Sequence, residues 1–151
     1  SKHNVWIIMS VFHKELYSDM ILRIKCGSYQ GRKIKAKPLL FYSVIIMIEK
    51  GFVHDNCIYF DKVSEEFYKK VSATYGEAIT PFFKPFYYLQ FDGFWHLKGK
   101  RGNVKTNRPS PRFIRENIEY AFLDNALWDL LQEASFREHF KLIIESHHMK
   151  Q

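Results

Sequence analysis

Apolar residues recur through the first part of the chain at spacings of three and four: Val5, Ile8, Met9, Phe12, Leu16, Met20 and Ile24. That period predicts an amphipathic helix from Asn4 to about Ile24, with this stripe turned to a core and Asn4 as N-cap. Cys26 to Lys37 loses the period, carries Gly27, Ser28 and Gly31 among basic residues, and reads as a mobile basic loop. Pro38 to Ile48 is apolar without a break. Proline suits a first helical turn, where its missing N–H has no partner to lose. A buried helix is therefore expected from Pro38 to Glu49 or Lys50, stopped by Gly51.

Val53 to Phe60 reads as a short strand around an Asp55–Asn56 turn. Asp61 or Ser64 then caps a helix through about Thr74, with Val63, Phe67 and Val71 inward and Gly76 ending it. Tyr87–Gln90 and Phe94–Lys98 flank Asp92–Gly93, a dipeptide that tolerates positive φ, and predict a β-hairpin. Gly99 to Pro111 is a second basic loop. Arg112 to Phe122 reads as helix, Asp124 as the cap of a helix over Ala126–Gln132, and Ser135 as the cap of a last helix to about Ser146, with His147 and His148 as its frayed end. Phe82, Phe86, Leu89 and Trp95 are expected in the core. The sum is an α+β chain, a mostly helical single domain around a small antiparallel sheet or hairpin.

Composition adds a partner class. The chain has 151 residues, 46% of them hydrophobic, enough for one core without metal or disulfide staples. Its formal net charge is +7, which favours a polyanionic partner. The charge is also segregated. Met20 to Ile48 and Gly93 to Arg115 contain no acid, yet together hold thirteen of the 23 Lys and Arg residues. Cys26 and Cys57, the only cysteines, suit a reducing cytoplasm better than a disulfide framework. The apolar run from Pro38 to Ile48 is too short to span a bilayer, so no membrane partner is expected.

Catalytic patterns are missing. A restriction-type nuclease needs a carboxylate two residues before a lysine to hold its metal, and none of the 16 acidic residues has that neighbour. The seven histidines show no HNH spacing. His54 and Cys57 lie three apart, but one further cysteine cannot complete a four-ligand zinc site. The expectation is no catalytic residue, no metal and no cofactor. His96, beside Trp95 in the expected hairpin, is the histidine with a contact role.

Two longer segments carry a resemblance. Lys37–Pro38–Leu39–Leu40 opens the apolar helix, and Pro85–Phe86–Tyr87–Tyr88–Leu89–Gln90–Phe91–Asp92–Gly93–Phe94–Trp95–His96–Leu97 follows. With Tyr120–Asp124 and Leu127–Leu131, they resemble the sulfur-binding, DNA-reading domains of McrA-like HNH restriction endonucleases, from about residue 30 to 145. The resemblance implies a recognition module of a type IV-like restriction system. Its partner would be duplex DNA with a phosphorothioate in the backbone, cleaved by a separate HNH nuclease domain. The chain departs from the family at Ala36, where histidine is frequent, and at Lys84, where an aromatic is frequent.

Sulfur in place of a non-bridging oxygen keeps the negative charge but is larger, more polarisable and a poor hydrogen-bond acceptor. A reader therefore needs an apolar surface flanked by cations. Pro85 with Phe83, Phe86 and Tyr87 is the expected sulfur pocket, and Arg32, Lys33, Lys37, Lys84, Arg101, Lys105 and Arg108, with His96, are the expected DNA contacts. Two other readings fit the charge: a protein-interaction domain docking an acidic partner, and a single-stranded RNA binder with exposed Tyr and Phe as stacking platforms. For a recognition module, purified chain incubated with plasmid DNA and Mg2+ or Mn2+ should leave it intact on a gel. Cleavage abolished by substitution within residues 1–151 would contradict that expectation.

Overall fold

The computed structural model describes residues 1–77 and 80–150. Among them the chain forms α1 (Lys2–Leu22), β1 (Ser28–Tyr29), β2 (Arg32–Lys33), α2 (Ala36–Glu49), α3 (Lys62–Thr74), α4 (Phe83–Tyr88), β3 (Trp95–Gly99), α5 (Pro111–Asn117), β4 (Ile118–Leu123), α6 (Asn125–Leu130) and α7 (Ala134–Ile143). The class is α+β and mostly helical, with two antiparallel two-stranded sheets, β1–β2 and β3–β4.

The apolar run at Pro38 becomes α2, the central helix. Leu39, Leu40, Phe41, Val44 and Ile45 are fully buried, as expected of a helix that is apolar all round. Gly51 stops it at φ 79°, with Phe52 N–H returning to the Met47 carbonyl. α3, α4 and α7 all pack against α2. Lys141 of α7 is held to Glu49 at 2.7 Å. Asp61 caps α3 by accepting from Ser64 N–H at 2.9 Å, and Tyr68 and Val71 face inward while Val63 is exposed.

The expected hairpin at Asp92–Gly93 does not form. Phe83–Tyr88 is helical, Leu89–Asp92 adds one 3-10 turn, and Gly93 takes φ 97° as the cap of that turn. Pro85 sits in the first helical turn, where it sacrifices no hydrogen bond, and Phe82, Phe86 and Leu89 all turn into the core. β3 pairs instead with β4, from Trp95 opposite Leu123 to Gly99 opposite Ile118. The expected helix from Arg112 therefore ends at Asn117. Ile118, Ala121 and Leu123 face inward from a strand rich in branched and aromatic residues. Val53–Phe60 contributes only a bridge from Ile58 to Ala121. Asn56 extends it with its side chain, donating to the Leu123 carbonyl at 2.8 Å and accepting from Leu123 N–H at 2.9 Å.

Four further expectations change. The basic loop at Cys26–Lys37 is partly ordered as β1–β2, turned by Gln30 (φ 52°) and Gly31 (φ 77°), a pair of positive φ values that matches strand twist. Ser1, not Asn4, caps α1, and Asp124 makes no side-chain cap for α6. The face of α1 that meets α6 and α7 is marked by Ser10, Tyr17 and Ile21, while Val5, Ile8, Met9, Phe12 and Leu16 of the expected core stripe are exposed.

The C-terminal histidine pair is not a frayed end. Beyond α7 a wider helical turn, Ile144–His148, carries His148 into the core. Its Nε2 lies 2.7 Å from the Ile21 carbonyl and its Nδ1 lies 3.0 Å from Lys33 Nζ. One neutral tautomer satisfies both, with Nε2–H donating to Ile21 and Nδ1 accepting from the ammonium. Burial, chiefly, aided by the Lys33 charge, pushes its pKa down to about 4 from an ordinary 6.5. A depressed histidine contributes stability that is complete above about pH 6.5 and is lost as the pH falls toward 4. The unfolding free energy from urea titration should therefore drop across that window with a slope of up to ~1.4 kcal/mol per pH unit. His148→Gln should flatten this slope; an unchanged slope would contradict the buried neutral imidazole.

Candidate nucleic-acid interface

The two acid-free basic segments are fixed to the same stretch of chain, α4 and its 3-10 turn. At one end stands Asp92, the only acid between Glu77 and Glu116. Its side chain is 3% exposed, and its two oxygens divide the work. One accepts from Lys25 N–H at 2.9 Å and the other from Lys37 Nζ at 2.8 Å. The segment carrying β1–β2 is thus tied down at both ends. Lys33 is held by His148, and Lys35 is buried with Nζ 3.3 Å from the Met149 carbonyl.

The other end of the stretch holds the loop from Gly99 to Ser110. Tyr87, buried at 1% exposure, has its hydroxyl between both backbone groups of Thr106: it donates to the carbonyl and accepts from N–H, each at 2.8 Å. Gln90 Nε2 donates to the Val104 carbonyl at 3.1 Å. Gly99 leaves room where the loop turns, since a Cβ there would sit 3.0 Å from the Gly102 backbone and from the Val104 side chain. Lys105 Nζ lies 5.8 Å from the centre of the Phe91 ring, close enough for the ring face to attract the cation.

The expected contact residues divide accordingly. Arg32, Lys84, Arg101, Lys105 and Arg108 are exposed, and among the described residues none is in an ion pair. Lys37 and Lys33 are committed to Asp92 and His148. His96 lies on the outer face of β3, with Nε2 2.5 Å from Asp124 Oδ1. Asp124 Oδ2 in turn accepts from Tyr17 at 2.8 Å, and burial together with this carboxylate raises the Tyr17 pKa. The imidazole thereby helps join β3, α6 and α1.

The sulfur pocket expected at Pro85 is not open. Pro85, Phe86 and Tyr87 are buried and Phe83 is half-buried, because the helix turns inward what a strand would have displayed. The rings that reach solvent on this segment are Tyr88, 40% exposed, and Phe91, 54% exposed. They lie one helical turn apart and flank Tyr87. Sequence reasoning missed both, and it missed Asp92 as an anchor. A lone carboxylate inside a basic region was the available signal for Asp92.

A second aromatic surface lies on the outer face of the β3–β4 sheet. Tyr59, Tyr120, Phe122 and His96 form a row with neighbouring ring centres 5.2 to 6.2 Å apart. Among the described residues, no group of three or more His, Cys, Asp or Glu side chains is arranged to hold a metal ion. No helix there is long and apolar enough to cross a membrane.

No protein-family model matches the chain, and no curated protein matches it in sequence.

The Asp92 anchor is open to direct test. Asp92→Ala strands Lys37 in a site where its side chain is 19% exposed, and should cost on the order of 3 kcal/mol in urea unfolding. Amide exchange should accelerate first in residues 25–37. Wild-type protection in that segment would show that the hairpin is held elsewhere.

Proposed function

We propose that this chain is a DNA-recognition domain that binds duplex DNA across the two basic segments, with preference for a phosphorothioate in the backbone and no hydrolytic chemistry of its own. The observation that carries the reading is the joint anchoring of both segments on α4 and its 3-10 turn, with Arg32, Lys84, Arg101, Lys105 and Arg108 exposed, Lys84 on the same helix as Tyr88, and Lys105 over the Phe91 ring. Cations without internal partners can replace counterions along a phosphate backbone. Two solvent-facing rings among them supply the soft, apolar surface that a sulfur atom favours over water.

The sulfur contact accordingly passes from Pro85 to Tyr88 and Phe91, while Pro85, Phe86 and Tyr87 support them from beneath. The resemblance to the sulfur-binding domains adds an HNH nuclease domain elsewhere in the same restriction protein, acting in the cytoplasm. The outer row Tyr59, Tyr120, Phe122 and His96 favours a second reading, binding of single-stranded RNA by base stacking.

Fluorescence anisotropy with matched duplexes, one bearing a single stereodefined phosphorothioate, separates these readings. The modified duplex should bind roughly tenfold to hundredfold more tightly, the range that covering one soft atom with apolar surface can supply. Phe91→Ala and Tyr88→Ala should reduce that ratio more than they reduce affinity for ordinary duplex, whereas Arg108→Ala should weaken both duplexes together. Equal affinity for the two duplexes would remove the sulfur reading. Preference for a single strand over either would remove the duplex reading as well.

A further inference from the structure

The apolar stripe of α1 is left without a partner by the packing of the chain itself. Val5, Ile8, Met9, Phe12 and Leu16 are 59%, 68%, 45%, 70% and 46% exposed, and they line the side of the helix opposite Ser10, Tyr17 and Ile21. Isolated exposed apolar residues are ordinary, but a continuous helical stripe is not. These five expose on the order of 600 Å2 per chain, at the upper end of the largest patch expected on a monomer, and a symmetric pair would cover on the order of 1,200 Å2, the lower bound for a stable interface.

We propose that this stripe is a self-association surface, on which α1 of one chain pairs antiparallel with α1 of a second copy about a two-fold axis. Three features select a second copy. The spacing of Val5, Met9, Phe12 and Leu16 is four, three, four, so it reads identically from either end. A reversed partner therefore places Val5 level with Leu16 and Met9 level with Phe12 in every layer, which is the self-complementarity an isologous contact requires. In that register Lys2 lies level with Asp19, Lys14 with Ile7 and Glu15 with Trp6, so no two like charges meet.

The third feature is electrostatic. The molecule carries a formal charge of +7, but α1 has only Lys2, Lys14, Glu15 and Asp19 and is formally neutral. Two copies can approach through α1 without bringing their basic segments together, whereas contact through those segments would be repulsive. Neutrality also disfavours an anionic membrane as occupant, since interfacial helices of that kind carry Lys and Arg along the polar face. The pairing does not depend on the DNA reading.

Sedimentation equilibrium across micromolar concentrations, without nucleic acid, tests the proposal. The expected mass is twice the 18.1 kDa of one chain. Phe12→Glu and, separately, Ile8→Gln should shift the equilibrium at least tenfold toward the single-chain mass while circular dichroism holds its helical signal, because both residues are exposed in the single chain. A single-chain mass at every concentration would overturn the proposal. So would a dimer that survives both substitutions, or a mass that climbs without plateau, which would indicate open-ended association. Liposome flotation of the wild-type chain with neutral and anionic vesicles should be negative, and strong flotation that competes with self-association would assign the stripe to lipid instead.

Discussion

The carboxylate of Asp92 is the constraint on which the rest of the proposed interface depends. It is nearly inaccessible to solvent, and it accepts from a backbone amide and an ammonium belonging to the two ends of one basic segment. A buried carboxylate is costly unless it is paired and hydrogen-bonded, so its position leaves little freedom to the groups around it. The same short stretch that ends at Asp92 includes Tyr87, whose hydroxyl fixes the second basic segment through Thr106. Two segments far apart in sequence are thereby assembled on one short scaffold, Phe83–Asp92, and their like charges are held together by interactions beneath the surface.

This division of labour explains why the basic residues are not equivalent. Lys33, Lys35 and Lys37 stand at alternate positions, yet each is engaged with a different internal acceptor: His148 Nδ1, the Met149 carbonyl and the Asp92 carboxylate. Of the expected contacts, the exposed cations outside any ion pair among the described residues are Arg32 on β2, Lys84 on α4, and Arg101, Lys105 and Arg108 in the loop after β3. Electrostatic affinity and structural anchoring are thus carried by separate members of the same charge cluster, and removing one class should not imitate removing the other.

Much of this architecture was legible in the sequence. The unbroken run after Pro38, the stop at Gly51 and the Asp61 cap each rest on a local rule, and each appears in the structure. The error at Asp92–Gly93 has a specific cause. A positive φ at Gly93 serves a hairpin and a helical end equally well, so the dipeptide could not distinguish them. Phe82, Phe86 and Leu89, read only as core residues, were spaced four and three apart, which is the helical period. Ile118–Leu123 became a strand because its partner is Trp95–Gly99, a pairing that no window around residue 118 contains. For α1 the periodicity established an amphipathic helix but not which side would meet the core, and the side that does is marked by Tyr17 and Ile21. Pro85, Phe86 and Tyr87 are buried because they stand on a helix that packs into the core, not beside the expected hairpin.

The central claim, that both basic segments face one polyanion together, is tested most directly by the salt dependence of binding to an ordinary duplex. The account predicts a linear fall of log affinity with log salt. Its slope should become shallower by about 0.9 for each phosphate no longer neutralised, in Arg32→Ala and in Arg108→Ala separately, with the two effects adding in the double variant. A slope that neither substitution changes, or one that only a single segment controls, would contradict it.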